Sequence, residues 1–386
     1  QKRGHEVQVW IANPADNLPA GVKAICRPWE RRLLPLDMLA DWTDWRHRGS
    51  IHALADVTRQ QFDVMHIHSV SGGWMSLKAL REACDRVPSV WTFHDEWAVT
   101  NGFICDLTGR VPRKEVLQEI QSLGRWLGRS PYHDNWKNRS VGRLLDRFAP
   151  RRPVLVAPSK HMLSLIEKSP RFAGSKSVHI NNGVSLLEEP ARKIDRQQAR
   201  QAWNIPQDRP VVLMVAAHLH DVHKGIRRGL QAIRKLPVSL KPVVLLLGKN
   251  ADALREHLPG LDVVTGYAGD SAELARAYRA ADVTLIPSLG DNFPFVALES
   301  LACHTSICAF HIGGLKEIIG DNQRGLAASP YNVDELSRHL QSLLEDAPLR
   351  SRLADAGQSW VETHCSLAGQ IQQLEATYQR AIDTFQ

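Results

Sequence analysis

Short apolar runs, many of them β-branched, alternate with helical segments along this 386-residue chain, and the alternation limits the fold more than any other feature. Several runs are apolar on both faces, which is typical of strands buried in a parallel sheet. The strands predicted in the first half are 5–10, 22–26, 63–67, 89–93, 154–157 and 177–180, and the helices are 50–60, 74–84, 140–148 and 160–168. This repeated strand–helix–strand order predicts a doubly wound α/β sheet.

A second series of the same kind follows residues 186–209, a polar stretch with two prolines that we interpret as a linker. Its strands are predicted at 211–216, 243–247, 262–264, 283–286 and 306–310, and its helices at 225–235, 271–280, 296–303 and 332–345. We therefore predict two Rossmann-like domains, residues 1–185 and 210–366. Residues 348–384 are predicted to be helical throughout, and we expect the C-terminal helix, 367–386, to pack back on the first domain.

The first ten residues have the pattern of a helix end, a glycine stop at Gly4 and then a strand. In a doubly wound sheet, a strand and its glycine-rich turn would precede such a helix. We therefore expect the sequence to be clipped at its N-terminus, with the first strand missing.

The composition is that of an ordinary globular protein, and no apolar run approaches the roughly 20 residues that cross a bilayer. Six scattered cysteines without a Cys-x-x-Cys pair favour a reducing cytosol. The formal charge of +7 is concentrated in residues 110–152, where eleven Arg or Lys stand against four acids. This basic region suits an anionic membrane surface or an anionic acceptor, and equally a solvated face. The usual signatures of nucleic-acid binding are absent from the sequence, so we predict no nucleic-acid partner.

Polar residues that directly follow strands matter most, because ligands bind beyond the carboxyl ends of parallel strands. His68 follows one such strand and precedes Gly72 and Gly73, and His94 follows the next strand. Asp95 comes directly after His94. A histidine at this place can donate a hydrogen bond to a phosphate or a sugar hydroxyl, although a lone histidine is more often structural.

Three histidines lie in the segment 217–225, between a predicted strand and a predicted helix, and they invite a zinc interpretation. His218 and His220 would project to opposite faces of an extended chain, and a fourth ligand is not evident, so we predict no metal. Lys224 and Gly225, at the start of the helix, form a better phosphate site, because a point charge there adds to the helix N-terminus. An ordinary exposed lysine is the alternative.

Asp291 and Glu299 stand eight positions apart, across a loop and the first turns of a helix with Pro294 near its start. The N-terminus of a helix attracts anions through its unpaired N–H groups and its dipole. An acid one to two turns further in can reach hydroxyl groups of the same ligand. The pattern suits a sugar nucleotide, with phosphates at the helix end and a ribose on the carboxylate; a surface loop and an ordinary helix with an exposed Glu form the alternative.

In their order and spacing, these residues resemble the retaining glycosyltransferases of family 4 over nearly the whole chain. The resemblance is carried by Thr92-Phe93-His94-Asp95, Ala157-Pro158-Ser159-Lys160, Asn182-Gly183, Lys224-Gly225, Ala280-Ala281-Asp282 with Pro287-Ser288, the pair Asp291 and Glu299, and Gly313-Gly314 with Glu317. Three segments, 63–74, 91–102 and 291–310, look like the branch that makes colanic-acid-type exopolysaccharides. The resemblance implies a GT-B fold, in which two Rossmann-like domains face a central cleft.

The resemblance also implies roles for the site residues. Lys224 would neutralise the leaving diphosphate, Asp291 would lie by the donor sugar, and Glu299 would bind the ribose hydroxyls. His94, the fourth catalytic residue, would contact the transferred sugar or phosphate from the first domain. The other donor-binding residues would be His218, Phe293, Phe295, Val296, Gly313 and Gly314, with backbone N–H groups around Phe295 and Val296 at the diphosphate. His68, Gly72 and Gly73 would lie on the acceptor side.

The implied activity is transfer of a sugar, with retention, from a nucleotide-diphosphate donor to a lipid-linked or polysaccharide acceptor at the cytoplasmic face of a membrane. Neither a cofactor nor a metal is implied. The alternatives are a non-catalytic sugar-nucleotide-binding protein of the same fold and a GT-B sugar-nucleotide epimerase. Three positions depart from the family pattern: Asp291 replaces a Glu, Pro294 replaces a Gly, and His218 replaces a phosphate-binding Arg.

Overall fold

The computed structural model describes residues 3–12, 18–25, 48–60, 62–71, 75–105, 107, 136–185, 194–249, 251–255 and 258–385. In this part of the chain no helix is both long enough and apolar enough to span a membrane. Gly72, Gly73 and residues 110–135 of the basic region lie outside the described residues.

The first half contains two pieces of parallel sheet. Strands β1 (Val9–Ile11) and β2 (Val22–Ala24) pair with each other. A second sheet holds β3 (Met65–Ile67), β4 (Ser89–Thr92), β5 (Val154–Ala157) and β6 (Ser177–His179), in that order. The helices here are α1 (Arg48–Arg59), α2 (Leu77–Cys84), α3 (Trp136–Phe148) and α4 (Lys160–Lys168). Every residue of β4 and β5 is buried, as expected for strands covered on both faces.

The second half forms one six-stranded parallel sheet in the order β12-β11-β10-β7-β8-β9. Its strands are β7 (Val211–His218), β8 (Val243–Lys249), β9 (Asp262–Gly266), β10 (Val283–Ile286), β11 (Ser306–Phe310) and β12 (Leu326–Ala328). The chain passes to the other side of β7 when it reaches β10, so the strand order reverses between them. Ligands bind at the carboxyl ends of strands beside such a switch point.

Nine helices of the described chain accompany or follow this sheet. They are α5 (Arg196–Ala202), α6 (Ile226–Arg234), α7 (Ala251–Arg255), α8 (Ser271–Ala280), α9 (Phe295–Ala302), α10 (Leu315–Ile319), α11 (Val333–Glu345), α12 (Ala347–His364) and α13 (Leu367–Asp383). Helix α5 falls inside the stretch interpreted as a linker, yet it packs on α8. Its Arg200 is buried and pairs with Asp282 at 2.9 Å between Nη2 and Oδ2.

Residues 348–384 are helical as predicted except at Cys365 and Ser366, where the chain breaks between α12 and α13. The Cys365 carbonyl leaves the helical pattern and accepts a hydrogen bond from the Val184 N–H at 2.9 Å. The Ser366 hydroxyl then caps α13 by accepting from the Gly369 N–H. The break redirects the chain toward the first domain, where Ala381 packs in a cluster with Val90 and other residues of the four-stranded sheet.

Candidate functional site

Lys224 lies at the carboxyl end of β7, in a 3-10 turn (Val222–Lys224) that leads into α6. The next residue, Gly225, has φ +62°, and a Cβ atom there would stand 2.0 Å from the Pro287 carbonyl oxygen. Only glycine permits both the left-handed backbone and this close approach. The sequence therefore brings the lysine turn directly against the loop that follows β10.

That loop carries Asp291, which faces Lys224. The Lys224 ammonium lies 2.9 Å from Asp291 Oδ2, and both side chains are partly buried. The Ser288 hydroxyl donates to the same carboxylate oxygen at 3.2 Å. The loop therefore holds a cation and an acid in contact at the switch point of the sheet.

Helix α9 begins at Phe295, shortly after Asp291. Pro294 occupies its N-cap position and makes no side-chain hydrogen bond to the helix. The Ala297 and Leu298 N–H groups bond to the Pro294 carbonyl, whereas no acceptor lies opposite the N–H groups of Phe295 and Val296 among the residues described. Two free donors at a helix N-terminus, next to a lysine, form an anion-binding arrangement.

The two phenylalanines of this segment differ in exposure. Phe295 is 45% exposed at the start of α9, whereas Phe293 is 4% exposed and belongs to the core of the second domain. The Phe293 ring is therefore an anchor for the loop. Phe293 was predicted to bind the donor, but its ring is buried, so only its backbone could do so.

Glu299 lies one turn into α9, where the fully buried Tyr278 orients it. The Tyr278 hydroxyl donates to Glu299 Oε2 at 2.8 Å, which leaves Oε1 for another donor. Burial raises the pKa of Glu299, and the hydrogen bond from Tyr278 opposes that shift. The spacing of acids in the sequence did not indicate Tyr278, because nothing in the local pattern of α8 distinguishes it from a core residue.

Gly313 and Gly314 lie against the backbone of the same loop. A Cβ atom on Gly313 would stand 2.0 Å from the Asp291 carbonyl oxygen, and one on Gly314 would stand 1.7 Å from that of Asn292. The Gly314 N–H also donates to the Asp291 carbonyl at 3.2 Å. The two glycines thus let the 313–314 turn pack closely against the backbone of Asp291 and Asn292, and this contact fixes the position of the Asp291 loop.

His218 stands at the end of β7, where the register to β8 is irregular between Val215 and His218. Its side chain is exposed, and its carbonyl accepts from the Asp221 N–H at 3.1 Å. Among the described side chains, no group of three or more His, Cys, Asp or Glu is arranged to hold a metal ion, so the segment of three histidines contains no such cluster.

In the first domain, His68 and His94 are brought together. His68 Nδ1 lies 2.9 Å from His94 Nε2, and the two rings stack at 5.2 Å between centroids. Burial and the neighbouring imidazole lower the pKa of His94 to about 4, and burial lowers that of His68. Both rings are therefore neutral at pH 7, and one nitrogen of the pair donates while the other accepts.

A third imidazole, His66, lies behind this pair and ties it to the C-terminal helix. His66 Nδ1 lies 2.7 Å from the Tyr378 hydroxyl of α13, and Nε2 lies 2.8 Å from the Thr92 hydroxyl. Burial lowers the pKa of His66 to about 3, with smaller contributions from its electrostatic interaction with the imidazoles of His68 and His94. The sequence prediction missed His66, which lies two residues before His68 and therefore on the same face of the strand.

Asp95 follows His94 and accepts hydrogen bonds from the Trp97 N–H at 3.0 Å and the Ser71 hydroxyl at 3.3 Å. Burial raises its pKa to about 6, against the effect of these two donors. With His68 and His94, it lines a small recess at the carboxyl ends of β3 and β4.

The two domains touch beside the Asp291 loop. The Ser159 hydroxyl donates to Asn292 Oδ1 at 2.6 Å, and the Lys160 N–H donates to Glu317 Oε2 at 2.8 Å. Each contact joins the start of α4 in the first domain to the second domain. The family resemblance had included Glu317 in one of its motifs, whereas the contact between Asn292 and Ser159 was not predicted.

Two family models divide the chain between them. Residues 1–187 match the model described as Glycosyltransferase Family 4, and residues 195–360 match the model described as Glycosyl transferases group 1. The boundary between the two matches falls between the two sheets. Neither model singles out the exopolysaccharide branch of the family.

Curated relatives and solved structures agree with these matches. A D-inositol 3-phosphate glycosyltransferase 2 of Catenulispora acidiphila is 31% identical over 53% of this chain and 50% of the relative, so about half of that relative's length is matched. A phosphatidyl-myo-inositol mannosyltransferase of Mycolicibacterium smegmatis is 26% identical over 90% of this chain and 78% of its own. The sucrose-phosphate synthase of Thermosynechococcus elongatus superposes with a TM-score of 0.67 at 19% identity, over 88% of this chain and 79% of that one. The predicted GT-B fold is confirmed.

Proposed function

We propose that this chain, which has the fold of the GT-B glycosyltransferases, transfers a sugar, with retention, from a nucleotide-diphosphate donor. One observation carries the proposal. The Lys224 ammonium contacts Asp291, in the loop that leads to the free N–H groups at the start of α9, at the switch point of the six-stranded sheet. A diphosphate needs this combination of a point charge and backbone donors.

The remaining site residues support a sugar nucleotide over a simple anion. Glu299 is held by Tyr278 with one carboxylate oxygen left over, which suits a neutral diol such as that of a ribose. The neutral His94 offers a donor or an acceptor to the transferred sugar from the other domain. In the proposed step, the bond from the anomeric carbon to the diphosphate breaks and an acceptor oxygen bonds to that carbon. The acceptor proton passes to the departing phosphate, whose negative charge Lys224 neutralises.

For the acceptor, we propose a lipid-linked or oligosaccharide molecule bound on the side of His68 and His94. The named relatives include enzymes for inositol phosphate and phosphatidyl-myo-inositol, so anionic polyol acceptors belong in any acceptor test. The resemblance of 63–74, 91–102 and 291–310 to the exopolysaccharide branch supports a growing polysaccharide instead. Through the basic region, residues 110–152, we propose binding at the cytoplasmic face of an anionic membrane, without a metal or a cofactor.

A donor panel with mass-spectrometric detection of products tests the proposal. UDP-glucose, UDP-galactose, GDP-mannose and GDP-fucose are each incubated with the protein, with and without phosphatidylinositol vesicles or inositol phosphate. We expect one donor to give a glycosylated product or slow hydrolysis, and Lys224→Ala to lower that rate by about 10²–10³-fold. Lys235→Ala is the matched control, because Lys235 also pairs with an aspartate, Asp334, at 2.7 Å on the surface.

The alternatives give different results in the same panel. A sugar-nucleotide-binding protein without activity would bind UDP or GDP and turn over no donor. An epimerase would convert a donor into its isomer without any acceptor. Equal rates for Lys224→Ala and Lys235→Ala would contradict the assignment of Lys224 to the diphosphate.

A further inference from the structure

Asn292 lies in the loop between β10 and α9, and its side chain bonds to two residues of the first domain. Its Nδ2 donates to the Phe93 carbonyl at 2.8 Å, and its Oδ1 accepts from the Ser159 hydroxyl at 2.6 Å. Asn292, Phe93 and Ser159 are all buried, with 7% or less of each exposed. One side chain of the second domain thus bridges two elements of the first, the end of β4 and the start of α4.

The hydrogen bonds around Ser159 fix the orientation of the Asn292 amide. The Ser159 hydroxyl is the N-cap of α4 and accepts from the Met162 N–H at 3.0 Å. Its proton is therefore available for Asn292 Oδ1, which places the Nδ2 group toward the Phe93 carbonyl. A carbonyl can only accept, so this position requires an amide nitrogen, and an aspartate would set two acceptors against each other.

The Phe93 carbonyl belongs to the peptide group that joins Phe93 to His94. The regular ladder of β4 ends at Thr92, and the Phe93 N–H still bonds to the Val156 carbonyl at 2.9 Å. Beyond that point the sheet no longer holds the chain. Because a peptide group is planar, a bond to the Phe93 carbonyl also orients the backbone of His94.

The other end of the bridge is equally fixed. Asn292 directly follows Asp291, whose carboxylate contacts Lys224. The carbonyls of Asp291 and Asn292 lie against the two glycines of the 313–314 turn. The backbone of Asn292 is therefore held by the second domain, and its side chain is the part that bonds to the peptide group preceding His94.

We propose that Asn292 is a positioning residue, which sets His94 in register with the Lys224–Asp291 pair by bonding to the Phe93 carbonyl. The inference rests on the proposed function, since it assigns to Asn292 the alignment of groups that act in the same transfer. Both polar groups of the Asn292 side chain are already bonded to the first domain, so we assign it no contact with the donor. Its loss should therefore impair turnover far more than binding of the nucleotide, because misplaced reacting groups slow the chemical step.

The test uses Asn292→Asp and Asn292→Ala in the whole chain. In the unliganded protein, hydrogen exchange of peptides spanning 93–98 should become several-fold faster in both variants, although the substitution lies in the other domain. With the donor that is active in the panel, kcat should fall by about tenfold or more, while the Kd for UDP or GDP stays within about threefold. Asn292→Asp should be the more severe change, because its carboxylate faces a carbonyl.

Two further variants keep the test decisive. Asn332→Asp is the charge-matched control, because Asn332 caps α11 at an exposed site through an oxygen that aspartate retains. It should leave both the exchange and the rates unchanged. Ser159→Ala removes the bond that orients the Asn292 amide toward the Phe93 carbonyl and should accelerate the same peptides, should an Asn292 variant fail to fold.

Unchanged exchange over 93–98 in Asn292→Ala would overturn the inference, as would a loss of UDP or GDP affinity that matches the loss of kcat. An absence of turnover by the wild-type chain with every donor would instead contradict the proposed function. The exchange measurement needs no turnover, so the two failures are distinguishable.

Discussion

Substitutions of Glu299 can separate its effect on nucleotide binding from its effect on stability, because one of its carboxylate oxygens already accepts a hydrogen bond from Tyr278. In Glu299→Gln, the amide oxygen can still accept from the Tyr278 hydroxyl, so we expect the free energy of unfolding to change by less than about 0.5 kcal/mol. The group offered to the donor changes from a carboxylate oxygen to a neutral amide. Hydrogen bonds to charged groups contribute about 1.5–3 kcal/mol and neutral ones about 1 kcal/mol. The affinity for UDP or GDP should therefore fall by about 3–30-fold.

Glu299→Ala should behave differently, because it leaves the fully buried Tyr278 hydroxyl without its acceptor. An unsatisfied buried donor costs about 1–3 kcal/mol, or a melting temperature lower by about 2–10 °C for a domain of this size. Adding Tyr278→Phe removes the orphaned hydroxyl. We therefore expect the double variant to recover most of the lost stability and none of the lost nucleotide affinity.

Calorimetric titration with UDP and GDP measures the affinities, and thermal unfolding without ligand measures the stability. Tyr278→Phe alone is the reference for the double-variant comparison. Wild-type affinity in Glu299→Gln for both nucleotides would refute the assignment of Glu299 to the ribose. Equal stability of Glu299→Ala and Glu299→Gln would refute the argument that Tyr278 depends on this carboxylate.

Two other predictions concern charge. Asp291→Asn should free Lys224 from its ion pair and tighten binding of free UDP or GDP by about 2–5-fold while turnover falls, and weaker nucleotide binding measured by titration would contradict this competition. Between pH 7 and pH 5, His66 should lower the free energy of unfolding by about 2 kcal/mol, because the unfolded chain binds a proton near pH 6.5 and the folded chain does so only near the depressed pKa of about 3. Asp95 acts in the opposite direction, because its folded pKa of about 6 lies above its unfolded value. The contribution of His66 is therefore measured as the difference in urea unfolding between the wild type and His66→Asn at each pH. Parallel pH curves for the two proteins would contradict the prediction.

Local sequence patterns predicted most of this architecture. The strands are apolar on both faces, so each can be recognised from its own residues without knowing which strands it pairs with. Strands β5, β10 and β11 have the predicted bounds, whereas β12 was missed, since Leu326–Ala328 is too short to show a period. The C-terminal helix begins at residue 367 as predicted, but the cause of the break at Cys365 could not be found from local patterns. It depends on a hydrogen bond to Val184, which is remote in the sequence.

The candidate site divides in the same way. Lys224, Asp291 and Glu299 stand at strand and helix ends, where the sequence itself marks a ligand position. Their partners could not be predicted, because the contacts are tertiary: Ser159 and Asn292 are 133 residues apart, and a buried tyrosine such as Tyr278 has no distinguishing local pattern. The meeting of His68 with His94 required only that β3 and β4 be neighbours, which the fold class implied without fixing their register.

The backbone around Asp291 shows how this residue, which replaces a glutamate of the family pattern, still reaches Lys224. An aspartate is one methylene shorter than the glutamate of the family pattern, so it reaches a cation only if that cation comes close. Gly225 allows this approach, because its lack of a Cβ lets the Lys224 turn lie against the Pro287 carbonyl. From the other side, the glycines at 313 and 314 hold the loop, and Phe293 anchors it in the core. The short acid, the close lysine turn and the rigid loop are thus one arrangement, because a Cβ atom at any of the three glycines would stand 2.0 Å or less from a backbone carbonyl oxygen.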